Sequence, residues 1–273
     1  MSNGGGLSRI ITLTTDFGLK DPYVAMIKGE ILKINPEARI VDISHGIDPG
    51  DVTQAAVVVD MAARHFPASA IHVCVVDPGV GSARKPIMVI TDDHYFIGPD
   101  NGVFTLIFRR DYTLFKVLEL NESHFFASDV SPVFHGRDVF GRVAGWMSKG
   151  IDSSRFGSEL TAYNKLGIPE VRPGADGTLE GTVLYTDRFG NTATTITKED
   201  LEKLRGDATD VTLHCTVKGT TISGLNEHFA ERKPGEPGML VNSTGRLEFF
   251  VNRGSAQRTL GVKAGETVSA AWR

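Results

Sequence analysis

The sequence has only two cysteines, Cys74 and Cys215, and they stand far apart in the chain. Two thiols cannot build a disulfide framework, and no zinc-site spacing accompanies them. Cys74 lies within an apolar run, where a buried free thiol is the expected state. A strong charge excess is also missing: 29 Lys and Arg stand against 33 Asp and Glu, a formal net charge of -4, with no long basic run. That argues against a nucleic-acid partner held by its phosphates. No apolar stretch reaches the roughly 20 residues that span a bilayer, so no membrane partner is expected. The opening residues Met1 to Gly6 are polar, read as flexible and lack the apolar centre of a secretory signal. These absences point to a soluble cytoplasmic protein. There is no internal repeat or low-complexity tract. Gly79 and Gly81 do not make a dinucleotide fingerprint, because no third glycine opens a helix at the required offset.

What is present suits a folded enzyme-sized chain. With 273 residues, 41% of them hydrophobic, there is material for one large or two medium domains. Ile10 to Thr15 reads as a buried strand. Val24, Ile27, Ile31 and Ile34 recur at helical spacing and stop before Pro36. Arg39 to Ile43 is a second strand. Asp51 to Gln54 resembles a capping box, opening a helix whose apolar face is expected at Ala55, Val58 and Ala62. Ala70 to Val76 is a third strand. Strand, helix, strand, helix, strand predicts a parallel sheet with right-handed crossovers. Pro86 to Thr91 and Tyr95 to Ile97, split by Asp92-Asp93-His94, read as a hairpin. Val103 to Phe108 and Arg142 to Met147 read as helices.

The texture changes near residue 165. Pro169, Pro173 and Gly174 suggest a linker. Beyond it, Leu179 to Ile196, Val211 to Val217, Leu247 to Val251 and Thr267 to Trp272 are rich in strand formers, with one short helix over Lys198 to Leu204 and a turn at Gly235 to Gly238. The expectation is an N-terminal α/β domain with a mainly parallel central sheet, residues 1–168, and a smaller C-terminal β-barrel domain, residues 169–273.

The stretch Asp77-Pro-Gly-Val-Gly-Ser-Ala-Arg84 carries the chemistry. It sets a carboxylate at the carboxyl end of a buried strand, where open α/β sheets gather ligands. Glycines permit a tight turn, and a guanidinium follows that can pair with the carboxylate or hold an anion. Asp16 occupies a second strand end. Asp21 and His135 complete the candidates of the first domain. Asp187-Arg-Phe-Gly-Asn191 and Asn242-Ser-Thr-Gly245 are those of the second. An Asp, an Arg and a His can together hold and activate a water. Each also has a plain structural reading. The Asp77–Arg84 stretch could be a salt-bridged turn. His135 could start a helix, with Arg137 and Asp138 as a helix-start charge and its pairing group. Phe189 alone reads as core, and Asn191 as a turn residue. His45, His65, His72, His94, His124, His214 and His228 lack partners at metal-ligand spacing and read as non-catalytic.

Six blocks in order are Leu13-Thr-Thr-Asp-Phe-Gly18, Asp77-Pro-Gly-Val-Gly81 with Arg84, Gly98-Pro-Asp-Asn-Gly102, Phe134-His-Gly-Arg-Asp138, Asp187-Arg-Phe-Gly-Asn191 and Asn242-Ser-Thr-Gly-Arg-Leu-Glu248. Together they resemble the S-adenosylmethionine (SAM) hydrolases that form adenosine, the SAM hydroxide adenosyltransferases. That superfamily also holds the SAM-dependent fluorinase and chlorinase. The resemblance implies an α/β domain followed by a β-barrel. It also implies a homotrimer, with SAM bound between the N-terminal domain of one subunit and the C-terminal domain of its neighbour. It implies no cofactor and no metal: SAM is the substrate and adenosine a product.

By the same resemblance, Asp77, Arg84 and His135 match the catalytic, water-binding triad. Asp16 matches the carboxylate on the ribose hydroxyls. Phe189 and Asn191 match the residues that stack on and bond to adenine, and Phe229 a second adenine-packing aromatic. Asp187, Ser243 and Asp21 match positions near the methionine amino-acid end. The implied chemistry is attack of water or hydroxide on ribose C5′ with methionine leaving from the sulfonium. Three rivals remain. A halogenase would need a dry halide pocket, and the halogenating members replace the Asp77 to Gly81 motif that is intact here. A non-catalytic SAM or adenosine sensor would lose the triad. A metal hydrolase would need a ligand cluster that the sequence does not show.

Overall fold

The computed structural model describes residues 9–110 and 112–273, so the opening Met1 to Gly6 lies outside the described residues. The chain divides into two compact units, Met1–Leu166 and Gly167–Arg273.

The first unit runs β1 (Ile10–Thr15), α1 (Tyr23–Ile34), β2 (Arg39–Ser44), α2 (Val52–Ala63), β3 (Ile71–Val75), β4 (Pro86–Thr91), β5 (Tyr95–Pro99), α3 (Thr105–Phe108), β6 (Phe115–Leu120), α4 (Arg142–Ser148) and β7 (Gly157–Glu159). Its sheet has the order β2-β1-β3-β5-β4-β6-β7. The strands β2, β1, β3 and β5 pair in parallel. The β4–β5 hairpin reverses direction, and β6 and β7 continue antiparallel. The sheet is therefore mixed, with its parallel half built from the crossovers that the sequence pattern implied. Both faces are covered, as a parallel sheet requires. On one side Ile27 and Ile31 of α1 and Val143 and Met147 of α4 pack on Ile11, Leu13 and Val73. On the other Ala55, Val59 and Ala63 of α2 pack with Cys74, Val89, Phe96 and Phe104.

α1 buries Val24, Ile27, Ile31 and Ile34, as its spacing indicates. α2 departs from expectation. Ala55 is buried, but the rest of the buried stripe is Ala56, Val57, Val59, Asp60 and Ala63, whereas Val58 and Ala62 are half-buried. Asp60 belongs to that stripe. Its carboxylate accepts from Arg110 Nε at 2.9 Å and is drawn into the interior. A hydrophobic count cannot mark a buried face that takes in an ion pair. The capping box closes only halfway: Asp51 Oδ1 accepts from Gln54 N at 2.8 Å, while the Gln54 side chain accepts from Asp48 N instead.

The second unit runs β8 (Arg172–Pro173), β9 (Leu179–Thr186), β10 (Thr192–Thr197), α5 (Lys198–Arg205), β11 (Leu213–Val217), β12 (Thr220–Ser223), β13 (Leu225–Asn226), β14 (Pro237–Val241), β15 (Arg246–Val251), α6 (Ala256–Leu260) and β16 (Thr267–Trp272). The path β12-β11-β16-β9-β10-β15-β14-β13, with β8 on β9, makes a nearly closed barrel. Val183, Ile196, Cys215, Met239, Phe249 and Val268 fill it. α5 starts at a complete capping box, Thr197 and Asp200 each bonding the other's backbone N–H.

Candidate active site

β1 and β3 are parallel neighbours in register, with Leu13 opposite Val73 and Thr15 opposite Val75. They therefore carry Asp16 and Asp77 out at the same edge of the sheet. After Asp77 the chain folds back at once: Val80 N bonds Asp77 O at 3.2 Å and Ser82 N bonds Gly79 O at 3.1 Å. Gly81 is needed here. Its φ is +78°, and a Cβ would stand 2.5 Å from the Pro132 carbonyl oxygen. This turn returns Arg84 to Asp77.

Arg84 donates to Asp77 Oδ2 from Nε at 2.8 Å, and its Nη2 lies 2.5 Å from the same oxygen. The two side chains are only 7% and 5% exposed. Arg84 Nη2 also stands 2.8 Å from His135 Nδ1. A guanidinium only donates, so Nδ1 must be the acceptor. His135 is then neutral and carries its proton on Nε2. Burial holds its pKa below the ordinary histidine range, and the Arg84 charge adds to the effect, against the opposing pull of Asp77 and Asp138. Arg84 also lies over the Phe140 ring, 5.5 Å from its centre. Two buried atoms of the group have no partner: Asp77 Oδ1 and Arg84 Nη1. An open acceptor and an open donor in one buried group are what a bound water or hydroxide satisfies.

Asp77 and His135 line a cavity of about 330 Å³, together with Asp16, Phe17, Gly50, Val80 and Phe134. Arg84 is not in that wall; it joins the two residues that are. Asp16 Oδ2 accepts from Gly50 N at 2.9 Å. Phe17, Tyr23 and Phe134 meet edge to face with ring centres 5.5–5.9 Å apart. His135 leads directly into a π-helical stretch, Gly136–Gly141, ahead of α4. The neighbouring Asp138 is no surface charge. It is buried, accepts from Ser131 N at 2.8 Å and is held on both oxygens by Arg137. Those contacts fix the stretch that presents His135. Asp21, by contrast, is exposed and does not line the cavity.

In the second unit Asp187 organises the β9–β10 turn. Its Oδ1 accepts from Phe189 N at 2.9 Å and Asn191 N at 2.8 Å, and its Oδ2 accepts from Asn191 Nδ2 at 3.1 Å. Phe189 is 77% exposed at the tip of this turn, so reading it as core is overturned. The turn itself projects it, because Gly190, at φ +87°, packs directly on Ser255 with no room for a side chain. Asn191 is buried. Phe229 is half-exposed and packs edge to face on Phe250, 5.0 Å between ring centres. Ser243 is exposed in the β14–β15 turn, which Asn242 Oδ1 stabilises by accepting from Thr244 N and Arg246 N. Asn242 Nδ2 donates to Glu248 Oε2 at 2.9 Å; Glu248 is buried, and burial pushes its pKa up. Glu248 closes the Asn242 to Glu248 block, but the sequence assigns it no role of its own. A charged residue in an apolar strand is the further signal that it is buried for a reason. Among the described residues no three His, Cys, Asp or Glu side chains gather as a metal-holding group.

Comparison with known families decides the lineage. Residues 11–157 match the SAM hydroxide adenosyltransferase N-terminal domain, and residues 181–269 match the C-terminal domain of the same name. The chain belongs to the SAM hydroxide adenosyltransferase family. Within that family it is similar to the (R)-S-adenosyl-L-methionine hydrolase of Salinispora tropica, 36% identical over 259 residues, covering 94% of this chain and 95% of the relative. The hydrolase of that name from Thermus thermophilus is 34% identical, covering 95% and 98%. A fluorinase of Actinoplanes sp. is more distant at 24%, covering 95% and 96%. An uncharacterized conserved protein from Thermotoga maritima has a similar solved structure, with a TM-score of 0.88 and 35% identity, covering 96% of this chain and all of that one. No described helix is long and apolar enough to cross a membrane.

Proposed function

We infer that this member of the SAM hydroxide adenosyltransferase family hydrolyses S-adenosyl-L-methionine to adenosine and L-methionine. The observation that carries the reading is the buried Asp77–Arg84–His135 group beside the cavity, with Asp77 Oδ1 and Arg84 Nη1 unpartnered. The bond that forms joins the water oxygen to ribose C5′. The bond that breaks is C5′–S, whose electron pair returns to sulfur and leaves a neutral thioether. No acid is needed at the leaving group. The water proton must go elsewhere, and Asp77 Oδ1 is the open acceptor for it. His135 Nδ1 is occupied by Arg84, so the imidazole acts as a neutral donor through Nε2 rather than as the base. Arg84 lowers the cost of negative charge on the nucleophile. A base at this position contributes about 10²–10⁴-fold. Holding water in line with the C5′–S bond contributes up to roughly 7–11 kcal/mol.

Substrate roles follow the same reading. Asp16, fixed by Gly50 N at the cavity wall, takes the ribose hydroxyls. Phe189 stacks on adenine, and its exposure fits an aromatic kept free for a ligand. Asn191 bonds the adenine edge and Phe229 packs on it. Asp187 and Ser243 take the methionine amino-acid end. Asp21 keeps only the motif match in its favour. We further propose a homotrimer with sites completed by a neighbouring subunit, and a cytoplasmic setting, both on the sequence resemblance and composition given above.

The test is to incubate the pure protein with SAM, with and without chloride or fluoride, and to separate the products. Adenosine and methionine in equal amounts under every condition are expected. A 5′-halo-adenosine, or unchanged SAM, would overturn the reading.

A further inference from the structure

We propose that His45 is a positioning residue that sets Asp16 and Phe17 in the cavity wall; the proposal rests on reading that cavity as the SAM site. His45 follows β2 and is buried. It grips the chain on both sides of those two residues. Its Nδ1 lies 2.9 Å from Thr15 Oγ1, just before Asp16. Its carbonyl oxygen accepts from Gly18 N at 2.8 Å, just after Phe17. The two residues between the grips are the two that the β1 end contributes to the cavity. The loop that follows His45 supplies Gly50, whose N–H holds Asp16 Oδ2 at 2.9 Å. One residue thus anchors both loops that place this carboxylate.

The ring is itself held. Its Nε2 lies 3.1 Å from Asp42 Oδ1, near in distance though poorly aligned for a hydrogen bond. Lys28 of α1 fixes the other Asp42 oxygen at 2.6 Å. The carboxylate favours the tautomer with the proton on Nε2, which leaves Nδ1 to accept from the Thr15 hydroxyl. Thr15 Oγ1 in turn accepts from Phe17 N at 3.3 Å. The chain Lys28, Asp42, His45, Thr15 therefore ties α1 and β2 to the end of β1. The buried imidazole faces polar groups at the sheet end, bonding the Thr15 hydroxyl and standing beside the Asp42 carboxylate. That placement fits orientation of a loop better than filling of a core.

The test is a double-mutant cycle on SAM turnover with His45→Ala, Asp16→Ala and the double variant. His45→Ala is expected to raise KM about 5- to 30-fold, the worth of a lost buried hydrogen bond, with a smaller change in kcat. His45→Asn, whose side-chain oxygen can take the place of Nδ1, should recover most of the loss. Because His45 acts through Asp16, the double variant should be no worse than Asp16→Ala alone. Losses that multiply, or an unchanged KM in His45→Ala, would overturn the proposal. Amide exchange at Phe17 and Gly18 gives a readout independent of turnover. Exchange accelerated at these amides in His45→Ala, with the core strands unchanged, supports the clamp; unchanged exchange there refutes it. A wild-type chain that turns over no SAM would refute the hydrolase reading separately, leaving the exchange result to judge the clamp.

Discussion

Asp77→Asn is the most informative single change, because it keeps the shape of the side chain and removes its charge. In the folded chain Asp77 faces both Nε and Nη2 of Arg84, at 2.8 and 2.5 Å, in surroundings that leave each side chain almost fully buried. Breaking a buried ion pair by removing one partner costs about 3–5 kcal/mol. An asparagine oxygen still accepts one bond from Arg84, so the stability loss should fall at the lower end of that range. The loss in rate has a different origin. Asparagine cannot take the proton that water releases, so the base contribution of about 10²–10⁴ should disappear from kcat, which is about 2.7–5.5 kcal/mol of barrier. SAM affinity should change by less than about threefold, well under one kilocalorie's worth, since the proposed ribose carboxylate is Asp16 at the end of the neighbouring strand. The assay is adenosine release for kcat and KM, with calorimetry for SAM binding, run well below the variant's melting temperature. A loss of affinity equal to the loss of rate, or a kcat near wild type, would refute the role given to Asp77 Oδ1.

Four further outcomes are expected. His135 must stay neutral to accept from Arg84, and its pKa is lowered by burial first and by Arg84 second; kcat/KM should therefore hold as pH falls through 6.5 and drop only below it, and a midpoint at or above 6.5 would contradict this. His72 is pushed down to about 3 by burial, and burial lowers its neighbour His94 as well. Both protonate in the unfolded chain first, so stability should fall as pH drops below 6.5, by up to about 1.4 kcal/mol per pH unit for each imidazole, His72 ceasing to contribute near pH 3. In His72→Phe the slope from chemical denaturation should shrink by one proton; an unchanged slope would sink the assignment. Gly81→Ala should cost at least about 1–3 kcal/mol in denaturant unfolding, from its positive φ and the Pro132 carbonyl in the way of a Cβ; an unchanged midpoint would refute the strain. Phe189→Ala should leave the melting temperature unmoved, because the ring is exposed, but weaken SAM binding by about 1–3 kcal/mol of stacking; unchanged affinity would remove Phe189 from the site.

Much of this fold was legible where one periodicity ruled alone. The α1 stripe of Val24, Ile27, Ile31 and Ile34 and the apolar run of β3 needed no tertiary information. The Asp77–Arg84 motif was legible because a strand end, glycines and a guanidinium occur in one short stretch. What escaped depended on partners distant in sequence. The α2 face takes in Asp60, whose partner Arg110 lies 50 residues on. β6 passed unread because Lys116 and Glu119 interrupt its apolar pattern, although Glu119 is satisfied by Lys85 at 2.6 Å. Phe189 read as core because apolar character does not say which way a turn points, and that depends on Gly190 against Ser255. The anchoring of Asp138 and the clamp at His45 are contacts between loops, which no spacing rule encodes.

The central claim is that water attacks ribose C5′, and turnover of SAM in ¹⁸O-enriched water tests it most directly. One ¹⁸O at the 5′ oxygen of adenosine and none in methionine is the expected result. Unlabelled adenosine, or label carried by methionine, would contradict it.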